Sequence, residues 1–221
     1  MAPLVRSAQG LAVNTVADYI KNGIRIGKFA AGQRLVASEL AADLAVSLGV
    51  VREALSLLDG AGLIELLPNR GAQIRPLSRD DVRQIFELRE ALEGQAAALA
   101  ARNLQGMKAR KALMDAFKAA DKAAAAGNVV DYRASNAAFH QTILTLANNP
   151  RLVDVASELT VPIYQLQLSM LLNERELKVA AAGHRRIVDA IMAGDENAAR
   201  TEMQEHVRIS GAVMMRLVEP A

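Results

Sequence analysis

From Ser78 to the end of the chain no stretch alternates apolar and polar residues, and that absence argues against any fold built on a large sheet. Apolar residues recur instead at helical intervals, between short breaks at Gly127, Asn149-Pro150 and Gly194-Asp195. The spacing predicts six helices, over 79–102, 108–126, 131–147, 151–173, 174–193 and 196–217, joined by short loops into an all-α antiparallel bundle. Ser78 followed by Asp81 has the form of a capping box opening the first of these, and Pro162 is expected to kink or interrupt the fourth. Composition agrees. Ala and Leu lead while aromatics make up 3% of the chain, and strands favour β-branched and aromatic side chains.

The first third follows another pattern. Val13, Val16, Ala17, Ile20, Ile24 and Ile26 form a helical stripe ending near Gly27, and Ala30-Ala31-Gly32 reads as a turn. Ser38 is expected to cap a short helix carrying Leu40, Ala41 and Leu44. Ser47 is expected to cap another, with Val51, Ala54, Leu55 and Leu58 on its apolar face and Gly60 and Gly62 at its end. Leu63–Leu67 and Ala72–Ile74 then flank Pro68-Asn69-Arg70-Gly71, which is turn chemistry, so a two-stranded hairpin is predicted. Helix, helix, turn, helix and hairpin is the order of a winged helix-turn-helix. With Arg75-Pro76-Leu77 as linker, the fold class is mainly α: a winged helix-turn-helix with a small two-stranded wing over 1–76 and a helical bundle over 77–221.

Several function classes fall away. With no Cys there is no disulfide scaffold, thiolate zinc site or cysteine nucleophile. The start, MAPLVRSAQG, lacks an apolar core of secretory-signal length. The longest uncharged stretches, Ala134–Pro150 and Leu159–Asn173, are too short and too polar to span a bilayer, so a cytoplasmic protein with no membrane partner is expected. The formal net charge of +2 arises entirely in residues 1–76, which hold 8 basic and 6 acidic residues. That excess matters only beside a nucleic-acid-binding motif.

The second helix of a helix-turn-helix enters the major groove with its N-terminal residues at the base edges. Here it opens Ser47-Leu48-Gly49-Val50-Val51-Arg52. Ser47 could cap the helix or bind a phosphate, and Arg52, one turn in, could read guanine or hold a phosphate. At the wing tip Arg70-Gly71 would let a guanidinium enter the adjacent minor groove.

In the bundle lie all three histidines. His140 follows Asn136 by one helical turn. His184 stands ten residues before Gly194, and His206 eleven after Asp195, so an antiparallel pair of helices about that turn would bring the last two level. Three neutral imidazoles from three helices suit a divalent metal, Zn2+ first and Ni2+ or Mn2+ next; the alternative is three unrelated polar side chains on helix surfaces.

The residues Arg34-Leu35, Glu39-Leu40-Ala41, Val46-Ser47, Val51-Arg52-Glu53-Ala54-Leu55, Gly62-Leu63 and Arg70-Gly71 resemble the GntR superfamily of bacterial transcriptional regulators over about residues 10–77. Residues 79–213 are similar to the FCD ligand-binding domain of its FadR-like subgroup. Arg89-Glu90-Ala91-Leu92-Glu93, Phe139-His140, Asn148-Asn149-Pro150-Arg151-Leu152, His184-Arg185-Arg186-Ile187 and His206 carry that likeness. The resemblance implies DNA contacts at Arg34, Ser47, Gly49, Arg52, Arg70 and Gly71, Arg34 being either a phosphate contact or only turn solvation. It implies metal ligands at Asn136, His140, His184 and His206. Arg89 would either hold an effector carboxylate or form a surface ion pair with Glu93.

Two positions depart from the family pattern. Leu48 stands where a basic residue is usual, which removes an expected guanine contact. Asn136 stands where Asp is common; a neutral amide is a weaker metal ligand but favours an anionic effector. The implied function is a repressor, not an enzyme, binding a short palindromic double-stranded DNA operator as a homodimer under control of an organic-acid or sugar-acid effector. A His-ligated metallohydrolase and a dimeric helical adaptor that has lost DNA binding are the alternatives.

Overall fold

Ser47 Oγ accepts a hydrogen bond from the backbone N–H of Val50, and the helix it caps organises the first part of the chain. A computed structural model describes the backbone of residues 2–67, 71–165 and 172–218, with side chains described for all of these except 2–9, 25, 158, 160–165 and 217. Two compact units meet in sequence between Leu77 and Ser78.

The first unit runs α1 (Ala2–Arg25), β1 (Arg34–Leu35), α2 (Ala37–Asp43), α3 (Leu48–Gly60), β2 (Ile64–Leu67) and β3 (Gly71–Ile74). Val13, Val16, Ala17, Ile20 and Ile24 of α1 bury against Val51, Ala54, Leu55 and Leu58 of α3, with Ile64, Ala72 and Ile74 closing the core. Each set recurs at helical or strand period, so one amphipathic face per element makes the core.

Three expectations need correction. Ile26 lies beyond the end of α1 and is 58% exposed. Ser38 lies inside α2, whose N-cap is Val36 with no side-chain cap bond. The expected two-stranded wing is a three-stranded antiparallel sheet of order β1-β3-β2, in which Arg34 pairs with Gln73 and Ile64 with Ile74. A two-residue strand is too short to show a period, which is why β1 escapes the sequence.

The second unit comprises α4 (Arg79–Asn103), α5 (Gly106–Ala125), α6 (Val129–Leu146), the part of α7 (Pro150–Gln165) up to Thr160, α8 (Glu174–Ala193) and α9 (Glu196–Leu217). Side-chain caps set the starts of four of them: Ser78 with Asp81, Asn128, Asn173 with Glu176, and Asp195. Gly194 takes the left-handed conformation (φ 75°) that ends α8 and turns the chain into α9. The α7 backbone stays helical through position 162 to Gln165. α4 packs along α9, and α8 contacts both α5 and α9. The α4 face is lined by Ala96, Ala97, Ala100 and Ala101, small enough to bring helix axes close.

Candidate functional site

α6, α8 and α9 each contribute one histidine to the interior of the bundle. His140, His184 and His206 are all buried, and one ligand-capable atom from each lies within 4.8 Å of the other two. Ring centroids stand 4.6 Å apart for His184 and His206, 5.2 Å for His140 and His206, and 5.6 Å for His140 and His184. Phe139 packs on His184 at 4.4 Å, and Tyr132 stacks on it at 6.3 Å. These are interior side chains, not unrelated residues on helix surfaces.

Neither ring nitrogen of His184 has a hydrogen-bond partner among the described residues, although the residue has no measurable exposure. Burial, reinforced by the neighbouring His140, pushes the His184 pKa well below its ordinary value. Burial does the same to His206, with His184 and His140 adding to it. Neutral imidazoles with free lone pairs are what a divalent zinc-type ion requires, and an orphaned buried nitrogen pair is costly unless something coordinates it. The donor set therefore fits a metal.

The other positions expected here fare differently. Asn136 is half-buried one turn before His140, and its Oδ1 accepts a hydrogen bond from Tyr132 Oη at 3.3 Å. Arg89 Nε donates to Glu93 Oε1 at 2.6 Å, with the Arg89 guanidinium over the Phe86 ring at 4.9 Å. The ion pair weighed for Arg89 thus forms, but in the interior: the two side chains are 15% and 8% exposed.

Glu93 was foreseen only as an ion-pair partner of Arg89; its contact with a histidine was missed. Its second oxygen lies 2.5 Å from His140 Nδ1. Burial opposes its ionisation, but the Arg89 guanidinium and the hydrogen bonds from Arg89 and His140 outweigh that and hold its pKa below the usual carboxylate range. One signal was available. Phe86, Glu93, Ala97 and Ala100 share one buried stripe of α4, where a lone carboxylate among apolar residues demands a partner.

In the first unit Ser47 acts as the α3 cap. Gly49 and Arg52 are exposed on the first turns of α3, Arg34 is exposed on β1, and Gly71 (φ 83°) opens β3. A Cβ at Gly71 would stand 4.0 Å from Arg34 Nε, so the two share one end of the wing. Arg70 lies outside the described residues.

Residues 12–74 match the model for bacterial regulatory proteins of the gntR family, and residues 84–209 match that of the FCD domain. The chain belongs to the GntR family. Over 202 residues it is 31% identical to the "Probable D-xylose utilization operon transcriptional repressor" of Paenarthrobacter nicotinovorans, covering 91% of this chain and 88% of that protein. It is 27% identical to the HTH-type transcriptional regulator LutR of Bacillus subtilis (strain 168), covering 83% of this chain and 92% of the other. The solved structure of E. coli McbR/YncC shares the fold, with a TM-score of 0.78 at 24% identity over 93% of this chain and 97% of that one. This GntR-family chain is a transcriptional regulator and not an enzyme, which sets aside the metallohydrolase. No helix of the described residues is long and apolar enough to cross a membrane.

Proposed function

We propose that this regulator is a metal-dependent repressor. It binds a short palindromic operator as a homodimer, in the cytoplasm where the DNA lies, and a small organic-acid or sugar-acid effector in the bundle shifts it between DNA-binding and released states. The observation that carries the reading is the buried cluster of His140, His184 and His206 with both His184 nitrogens unpartnered. His140, His184 and His206 would hold a divalent ion, zinc before nickel or manganese. When bound, the ion would supply an open coordination position for a carboxylate or hydroxyl of the effector. Asn136, engaged by Tyr132, would be at most a weak fourth ligand. The relative named as a probable D-xylose utilization operon transcriptional repressor supports the sense of regulation.

On the DNA side Arg34, Ser47, Gly49, Arg52, Arg70 and Gly71 are the proposed contacts, with Leu48 presenting an apolar side chain to the groove. The test is elemental analysis of protein never exposed to chelator, beside a His140→Ala variant, followed by operator binding at stated salt. The reading expects near-stoichiometric metal in the parent and its loss in the variant, and operator affinity that changes when the metal is removed. A metal-free parent with an equally stable variant would sink the metal. A parent that binds no DNA, with affinity gained by Leu48→Arg, would favour the adaptor.

A further inference from the structure

The carboxylate of Glu93 sits between two partners on different sides. Oε1 accepts from Arg89 Nε at 2.6 Å, and Oε2 lies 2.5 Å from His140 Nδ1, a residue 47 positions away on another helix. All three side chains are at least 85% buried, so no water competes freely for these bonds. An ionised carboxylate has no proton to give. His140 must therefore donate through Nδ1–H, and in the neutral ring Nε2 keeps the lone pair.

We propose that Glu93, anchored by Arg89, is the positioning residue of the histidine cluster: it holds His140 in the Nδ1–H tautomer so that Nε2 is the nitrogen available to a metal. The proposal rests on the metal reading for its purpose, but its structural content can be read without any metal. A ligand histidine whose other nitrogen is held by a carboxylate is fixed in orientation and made more basic. With Asn136 in place of the acid common at that position, Glu93 would supply a carboxylate behind a ligand ring rather than as a ligand itself.

The pairing makes Glu93→Gln unusually informative. Arg89 is a donor only, so the single carbonyl oxygen of the glutamine must face Arg89, and the NH2 must face His140. A donor at that place accepts no proton from Nδ1; it selects the opposite tautomer, with the proton on Nε2. A carboxylate that paired with Arg89 alone, without holding Nδ1–H of His140, would give no such reversal.

The experiment is 15N-labelled histidine NMR on metal-free full-length protein, paired with Zn2+ titration of the parent, Glu93→Gln and Glu93→Asp. The expected result is an Nδ1–H His140 in the parent and an Nε2–H His140 in Glu93→Gln. Zn2+ affinity should fall about 10–100-fold in Glu93→Gln. Glu93→Asp, which keeps the charge but shortens the reach, should fall less. An Nε2–H His140 in the parent overturns the proposal without any variant, as does an unchanged tautomer in folded Glu93→Gln. A parent that shows the expected tautomers but binds no Zn2+ would fail the metal reading of the cluster and leave Glu93 as its positioning residue.

Discussion

A methyl group at position 183 would stand 2.7 Å from His206 Nδ1. Gly183 is therefore the clearance that lets α8 and α9 approach while an imidazole lies between them. Replacing it with Ala favours the helix intrinsically by about 1 kcal/mol, yet it must push the His206 ring aside. Gly183→Ala is expected to leave far-UV circular dichroism unchanged while lowering Zn2+ affinity at least tenfold in a competition titration. Unaltered affinity would mean that the ring tolerates the displacement. The histidines themselves were legible in the sequence, because spacing about the Gly194-Asp195 turn sets His184 and His206 level. Gly183 was not, since it acts on a residue of another helix and no local period reports such a contact; for Glu93 the helical period of α4 could place the carboxylate inside but not name His140 as its partner.

At the scale of the element, α3 joins stability to recognition. Losing the Ser47 cap should cost about 1 kcal/mol, because one N–H of the first turn would be left to solvent. The next residue, Leu48, is 38% exposed at the position from which a recognition helix meets base edges. An apolar side chain there has one good partner in the major groove, the thymine 5-methyl group. Within the proposed operator complex, exchanging the contacted thymine for uracil should weaken binding severalfold for the parent and leave Leu48→Ala indifferent; equal losses for both would exclude that contact. Periodicity gave the ends of the other bundle helices to within two residues, and caps such as Ser47 and Ser78 could be named in advance; the fourth helix was expected to run to Asn173, which is not helical but caps α8. Periodicity also failed at Ser38, where a capping residue type sits inside α2, and at β1, whose pairing with β3 is tertiary.

Among the described residues each unit has a core of its own. Residues 13–74 bury an aliphatic core of their own, and the bundle buries another around Phe117, Phe139 and the histidines. Calorimetry should therefore resolve two transitions, of which a chelator lowers only the bundle's. A ligand present at a thousand times its Kd stabilises the state it binds by about 4 kcal/mol. A single transition insensitive to chelator would contradict the assignment of metal to the bundle. The unpartnered nitrogens of His184 extend this argument from the test tube to the cell. Each buried donor or acceptor left without a partner costs about 1–3 kcal/mol, and losses of that size change the fraction of a protein seized by proteases severalfold. A chain made while metal is scarce would be short-lived as well as unresponsive, so its copy number would report the same shortage as its binding site.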